Sequence, residues 1–236
     1  MATPIIKNDY LSMAEMTINA QIIMDYFIDK GWTKQAISGM LGNMQSESSI
    51  NSGIWESLNE GNMDGGFGLV QWTPASKYTS WADSKGYSWT NIIGQMERII
   101  YEVENGLQWI STTSHPMTFE EFTKSTDTPY NLAMVFIANY ERPLEPNQPI
   151  RGTQAEYWYT TLTGEGGGGT PTDPTGGDYK LLKKYIYGQD NNLFGRRFFS
   201  NSNSATLIKR VGNMAIIKVD NKKYTVPFKN IKKVSI

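Results

Sequence analysis

The sequence predicts an α+β protein: a mainly α-helical first domain with a small hairpin insert, followed by a small all-β, barrel-like domain. Three observations support this. Apolar residues recur at helical spacing through the first domain, residues 164–178 are almost wholly Gly, Pro, Thr and acid, and the remaining chain consists of short β-branched and aromatic runs. We therefore expect domains at residues 1–163 and 179–236, joined by a flexible linker at 164–178.

The first helices are predicted from the spacing of apolar residues. One is expected over residues 16–27 and another after Thr33, where a single face carries Ile37, Met40, Leu41 and Met44. A third is expected over residues 91–107. Further helix starts are indicated by Thr with Glu three residues later, or by Thr before Pro, at Thr118, Thr128 and Thr153. Residues 51–89, rich in Gly and Trp, are expected to form the irregular hairpin insert beside a cleft.

The two halves carry opposite charge. Residues 1–177 contain nine Lys and Arg against twenty Asp and Glu, a net charge of −11, whereas residues 178–236 contain thirteen against three, a net charge of +10. The cations of the second half could simply form the solvent face of alternating strands. Alternatively they attract an anionic polymer such as teichoic acid, an acidic protein surface or nucleic acid, of which nucleic acid is the least expected.

Composition excludes several kinds of chemistry. Without cysteine, there can be no Cys nucleophile, Cys-rich zinc site or disulfide. The single histidine, His115, precedes a proline and is expected to have a loop or capping role. We predict no metal and no cofactor, and we expect neither a secretory signal nor a membrane span, since no run of about 18 apolar residues occurs. Hydrolysis by carboxylates remains open, because it needs only Asp and Glu.

Glu47 is the leading candidate for such a carboxylate. It follows Met40 and Met44 at spacings that place it on the buried face of the second helix, near the helix C-terminus. Burial and the helix dipole both disfavour the ionised form there, as a general acid requires. The alternative is a solvated or capping acid, which is common at helix ends.

A second motif is DGGFGLVQWTP, residues 64–74. Its glycines allow close backbone approach, and Phe67, Gln71 and Trp72 supply the aromatic and amide groups that glycan sites use. A glycine-kinked hairpin with two core aromatics is the alternative. All seven Trp lie in the first half, so some are expected to line a sugar-binding cleft.

Three motifs in order carry a family resemblance: Glu47 in NMQSES, GFGLVQWT, and FIANYERP at residues 136–143. Over about residues 18–162 the chain resembles the phage tail lysozymes, relatives of goose-type lysozymes and lytic transglycosylases. The resemblance implies a lysozyme-like fold that cleaves peptidoglycan glycan strands, with Glu47 as general acid. It also implies a substrate-binding cleft formed by Gly68, Leu69, Gln71, Trp72, Tyr140 and Glu141.

The second catalytic carboxylate is less determined by the sequence. Asp64, beside the glycine-rich segment, is the first choice, and Glu56, Glu60 and Glu141 are alternatives. Glu141 could instead pair with Arg142. Some members of this fold group lack a second carboxylate, which leaves a transglycosylase open.

The expected protein is a muramidase of the phage tail that acts on the host cell wall and resides in the host cytoplasm before assembly. A holin-released endolysin and a catalytically silent glycan-binding adhesin are the alternatives. The expected partner is bacterial peptidoglycan. Residues 179–236 are expected to bind anionic wall polymer or other tail proteins, and no membrane partner is expected.

Overall fold

A computed structural model of the protein describes residues 2–164 and, for the backbone alone, strand segments between residues 178 and 233. Residues 2–164 are helical. They contain seven α-helices, together with a 3-10 turn at Glu56–Leu58 and a π-helical turn at Ile137–Glu141. The α-helices are α1 (Met13–Asp29), α2 (Lys34–Ser48), α3 (Ser76–Lys85), α4 (Ile92–Glu104), α5 (Phe119–Lys124), α6 (Pro129–Phe136) and α7 (Pro149–Thr161).

Side-chain caps define most helix starts. The hydroxyl groups of Thr33 and Thr128 accept from backbone amides at the starts of α2 and α6, and Thr118 forms a capping box with Glu121 at α5. These three predicted starts are confirmed. The predicted start at Thr153 is wrong, because α7 already begins at Pro149, and proline is favoured in the first helical position.

Helix α2 lies at the centre of the helical unit. Its predicted apolar face is confirmed, since Ile37, Met40, Leu41 and Met44 have no exposed surface. Gly39 lets α2 approach α6 closely: a Cβ there would lie 2.9 Å from the backbone carbon of Leu132. The last turn of α2 carries Glu47, whose side chain is only partly buried.

The tryptophans contribute mainly to the core. Trp32, Trp55, Trp72 and Trp158 are at most 8% exposed, while Trp81, Trp89 and Trp109 are half-buried. Burial of four large rings stabilises a helical unit of this size by the hydrophobic effect. Most of the tryptophans are therefore explained by packing.

The predicted hairpin insert is wrong. Residues 51–89 contain no β-strand, only isolated bridges that join Phe67 to Trp55 and to Trp72. Positive φ angles at Gly68 (77°) and Gln71 (50°) fold this segment into tight turns, which prevents a regular ladder. The segment also contains α3, which the sequence analysis did not predict.

The predicted fold class, α+β with a barrel-like second domain, is also wrong. The described residues 2–164 form a helical fold, and no β-barrel domain is shown. Beyond residue 177, strand backbones are assigned as β1 (Asp178–Leu181), β2 (Tyr185–Tyr187), β3 (Arg196–Phe198), β4 (Ser204–Val211), β5 (Met214–Val219), β6 (Lys222–Pro227) and β7 (Ile231–Lys233). Their order, β3-β2-β6-β5-β4-β1-β7, is that of an open antiparallel sheet. Local β patterning does not encode closure, because closure requires pairing between the two edge strands.

The linker predicted at 164–178 lies almost wholly outside the described residues, so the predicted domain division stays a prediction. Among the described residues, none of the helices is both long enough and apolar enough to cross a bilayer.

Candidate active site

Glu47 lies in the last turn of α2 and forms an ion pair with a guanidinium group from α7. The Glu47 Oε1 and Arg151 Nη2 atoms are 2.6 Å apart. The Glu47 side chain is 21% exposed and the Arg151 side chain only 7%. This is the charge-assisted contact of an ionised carboxylate with a buried cation.

Close packing of α7 on α2 brings these two side chains together. Gly42 faces α7, and a Cβ at this position would collide with the carbonyl oxygen of Arg151. One turn farther along α2, Ser46 Oγ donates to Gln154 Oε1 at 2.7 Å. These contacts set the position of α7 along α2, so that Arg151 reaches Glu47.

Arg151 is held in place by two further hydrogen bonds. Its Nη1 donates to Asn43 Oδ1 at 3.2 Å, and its Nε donates to Gln148 Oε1 at 2.8 Å. Asn43 is itself fixed, because its amide donates to the carbonyl oxygen of Ala133 at 3.0 Å. The guanidinium group therefore has a defined orientation toward Glu47.

Glu141 is a second carboxyl group near this pair. It ends the π-helical turn that follows α6, and its Oε1 atom is buried without a hydrogen-bond partner among the described residues. Burial raises the pKa of Glu141 well above its ordinary value, and the charges of Glu47 and Glu102 raise it further, while Arg151 lowers it. Glu141 therefore keeps its proton at a pH where an exposed glutamate has lost it.

A buried carboxylate, Glu102, connects α4 to two of the sequence motifs. Trp72 Nε1 donates to its two oxygens at 3.0 and 3.1 Å, and the Tyr140 hydroxyl donates to Oε2 at 2.6 Å. Arg98 forms an ion pair with the same carboxylate, with its Nε atom 3.0 Å from Glu102 Oε1. Because Tyr140 precedes Glu141 and Trp72 follows Gln71, Glu102 holds both segments in position.

The glycine-rich segment is anchored to the end of α2. Ser48 Oγ donates to the carbonyl oxygen of Leu69 at 2.9 Å, and the Leu69 amide donates to Gln95 Oε1 at 2.8 Å. Gln71 Nε2 donates to the carbonyl oxygen of Gly68 at 3.0 Å. Since Ser48 adjoins Glu47, the backbone of residues 68–71 is brought to the end of α2 that carries the candidate acid.

Comparison with known proteins gives a family match. The family model of phage tail lysozymes matches residues 18–162, more than half of the chain. The chain belongs to the phage tail lysozyme family. A curated relative, morphogenesis protein 1 of Bacillus phage B103, is 61% identical over 163 residues, which cover 69% of this chain and 44% of the relative. The chain thus spans less than half the length of that relative.

Within this phage tail lysozyme, four of the six predicted binding residues are buried: Gly68, Leu69, Trp72 and Tyr140. Trp72 is 6% exposed and Tyr140 is 1% exposed, and the polar atom of each is bonded to Glu102. Their side chains support the segments that carry Gln71 and Glu141. That the ring of Trp72 or Tyr140 contacts the substrate directly stays a prediction.

The predicted second carboxylate, Asp64, lies on the surface. The alternatives differ in their surroundings. Glu60 is exposed, whereas the Glu56 Oε2 atom accepts from the amide of Gly66 at 2.8 Å and so stabilises the turn. Glu141 lies in the field of both Glu47 and Arg151, whose charges shift the pKa of Glu141 in opposite directions. The choice of Asp64 stays a prediction.

Sequence reasoning missed Arg151 and Glu102. For Glu102 a signal existed, since Arg98 precedes it by four residues on α4, the spacing of a helical ion pair. No local pattern marks Arg151 as the partner of Glu47. The single histidine, His115, is half-buried in a loop, as predicted. Within the described residues, no group of three or more His, Asp or Glu side chains is placed to hold a metal ion.

Proposed function

We propose that this phage tail lysozyme is an N-acetylmuramidase that cleaves the glycan strands of bacterial peptidoglycan. Family membership supports the lysozyme class of reaction. The observation that carries the proposal is the position of Glu47 in the last turn of α2, where its side chain contacts a buried guanidinium group and stays partly exposed. A partly exposed carboxyl group can reach the glycosidic oxygen, and glycoside cleavage requires a carboxyl group as proton donor.

In the proposed reaction, Glu47 is the general acid. It donates a proton to the glycosidic oxygen as the bond from that oxygen to the anomeric carbon breaks, and water attacks the anomeric carbon. The backbone of Gly68 and Leu69 and the amide of Gln71 form the floor on which the sugar lies. A second carboxylate, Asp64 in our prediction, would assist the water or stabilise the developing positive charge.

We further propose that the protein is a component of the virion that opens the wall locally during entry. The family description as tail lysozyme and the name of the relative from phage B103, a morphogenesis protein, both support a place in the particle. Residues 179–236, with their excess of cations, would bind anionic wall polymer or dock to other tail proteins.

The test is clearing of a purified cell-wall suspension by the wild type, by Glu47→Gln and by Glu145→Gln. Glu145 is exposed and is not a candidate for the site, so its substitution is a matched control for loss of one carboxylate. We expect clearing by the wild type and the control and a loss of at least about 100-fold in Glu47→Gln, the usual contribution of a general acid. Equal clearing by Glu47→Gln would contradict the assignment of Glu47, and no clearing by any form would favour a silent adhesin.

Mass analysis of the released fragments identifies the reaction. Reducing ends would support hydrolysis, whereas anhydro ends would show that a sugar hydroxyl attacks instead of water, as in a lytic transglycosylase. The same digest with Asp64→Asn tests the second carboxylate, because hydrolysis that is undiminished in this variant would remove Asp64 from the mechanism.

A further inference from the structure

The ion pair with Arg151 raises a question about the source of the proton. Glu47 contacts Arg151 in the manner of an ionised carboxylate, yet a general acid must start the reaction with a proton. We propose that Glu47 and Glu141 share one proton, and that Glu141 holds this proton in the resting protein. This inference rests on the proposed function and specifies how its acid is supplied.

The environment of Glu141 favours its protonated form. Its Oε1 atom is buried and has no hydrogen-bond partner among the described residues. Ionisation would place negative charge on an oxygen that has lost its hydration. A protonated carboxyl group avoids this cost.

The charges around Glu141 also favour one shared proton. Three side chains from different elements carry charge toward Glu141: Glu47 from α2, Glu102 from α4 and Arg151 from α7. Glu102 is already balanced by Arg98. The remaining set of two carboxyl groups and one guanidinium group is neutral only when it holds one proton. Like charges placed close together resist ionisation of the second carboxyl group.

The raised pKa of Glu141 agrees with a proton that resides on Glu141 in the resting protein. Burial is the largest cause, the charge of Glu47 is the next, and Arg151 opposes both. When Glu141 loses its proton, Arg151 can balance the new charge. The guanidinium group, held by Asn43 and Gln148, therefore stabilises whichever of the two carboxylates is ionised.

The proposed step passes one proton through the two carboxyl groups. The proton moves from the Glu141 carboxyl group to the Glu47 carboxylate, and Glu47 then gives it to the glycosidic oxygen, which keeps the electron pair of the broken bond. Water forms the new bond to the anomeric carbon and releases a proton, which returns to the carboxyl pair. Glu141 acts through Glu47 and needs no contact with the sugar.

The pH profile of wall clearing tests this role. We compare the wild type with Glu141→Gln and with Glu145→Gln, an exposed glutamate four residues farther along the chain. Without Glu141, clearing near neutral pH should fall at least about tenfold, and the alkaline limb of the profile should move down by about one to three pH units. The Glu145→Gln profile should match that of the wild type.

A merely structural role would lower clearing by Glu141→Gln equally at all pH values, and an unmoved alkaline limb would overturn the proposal. The second measurement needs no activity: carbon NMR of the side-chain carboxyl groups in the full chain, with and without Glu47→Gln. One carboxyl signal, absent in Glu141→Gln, should titrate well above the usual range for glutamate and move to lower pH in Glu47→Gln. Titration of Glu141 in the usual range would overturn the shared proton.

The two measurements separate failure of this inference from failure of the proposed function. A wild type that clears no wall material contradicts the enzyme activity, while the NMR titration still decides whether the pair shares a proton. A clearing wild type with an ordinary Glu141 titration keeps the activity and removes Glu141 from it.

Discussion

The hydroxyl group of Ser48 lies 2.9 Å from the carbonyl oxygen of Leu69, and equally 2.9 Å from that of Met44, so its single proton serves either acceptor. The bond to Leu69 joins the last residue of α2 to the glycine-rich segment. Both residues are buried, so no solvent competes for the bond. This bond therefore helps to hold residues 68–71 near Glu47, the candidate acid.

Replacement of Ser48 by alanine should leave the Leu69 carbonyl oxygen without this donor. We expect a loss of about 1–3 kcal/mol in the free energy of unfolding, the cost of an unsatisfied buried polar group, and reduced wall clearing because residues 68–71 are no longer fixed. Urea unfolding measures the first effect. Ser76→Ala, at an exposed position of α3, is the control, and equal stability of the two variants would show that the bond contributes little.

Replacement of Glu102 by glutamine should destabilise the protein strongly. The variant leaves the largely buried Arg98 without its counter-charge, and removal of one partner from such a pair costs about 3–5 kcal/mol. Thermal or urea unfolding would detect the change. Glu104→Gln removes an exposed carboxylate two residues away and should change stability little. Similar unfolding curves for both variants would contradict the role of Glu102.

A methyl group at Gly42 should separate α7 from α2. Because the added Cβ would meet backbone rather than a flexible side chain, we expect about 1–3 kcal/mol of destabilisation from overpacking. Arg151 would also move away from Glu47, so wall clearing should fall more than stability alone explains. Gln35→Ala, on a half-exposed face of the same helix, controls for the alanine itself, and unchanged stability of Gly42→Ala would contradict the close approach.

Glu141 should make the stability of the protein depend on pH. Its pKa is raised above the ordinary value of 4.5, so the folded state binds more protons than the unfolded state above that pH. Stability is therefore full below about pH 4.5 and falls as the pH rises toward the folded-state pKa. Glu141→Gln removes this loss.

The measurement is the free energy of unfolding of the wild type, Glu141→Gln and Glu145→Gln at several pH values from about 4 to 9. Burial also raises the pKa of Asp25, but Asp25 is common to all three proteins and cancels in the comparison. The Glu141→Gln variant should gain stability relative to the wild type as the pH rises. Parallel curves would mean that Glu141 titrates normally.

Local patterns predicted the helices and the buried face of α2 because helical spacing and caps involve residues a few positions apart. They failed for residues 51–89, where the same glycines that suggested a hairpin adopt turns and α3 follows. They also failed for the barrel, since strand pattern does not determine sheet closure.

For this protein, the sequence by itself determined the helix starts at Thr33, Thr118 and Thr128, the burial beside Glu47 and the family, all of which depend on short motifs in order. Only the tertiary structure decided that Arg151 pairs with Glu47, that Glu102 joins Trp72 to Tyr140, and that Glu141 lies in the field of both Glu47 and Arg151. The reason is physical: each of these contacts joins different helices or turns. The protonation of a carboxyl group depends on the charges and burial that such packing creates around it.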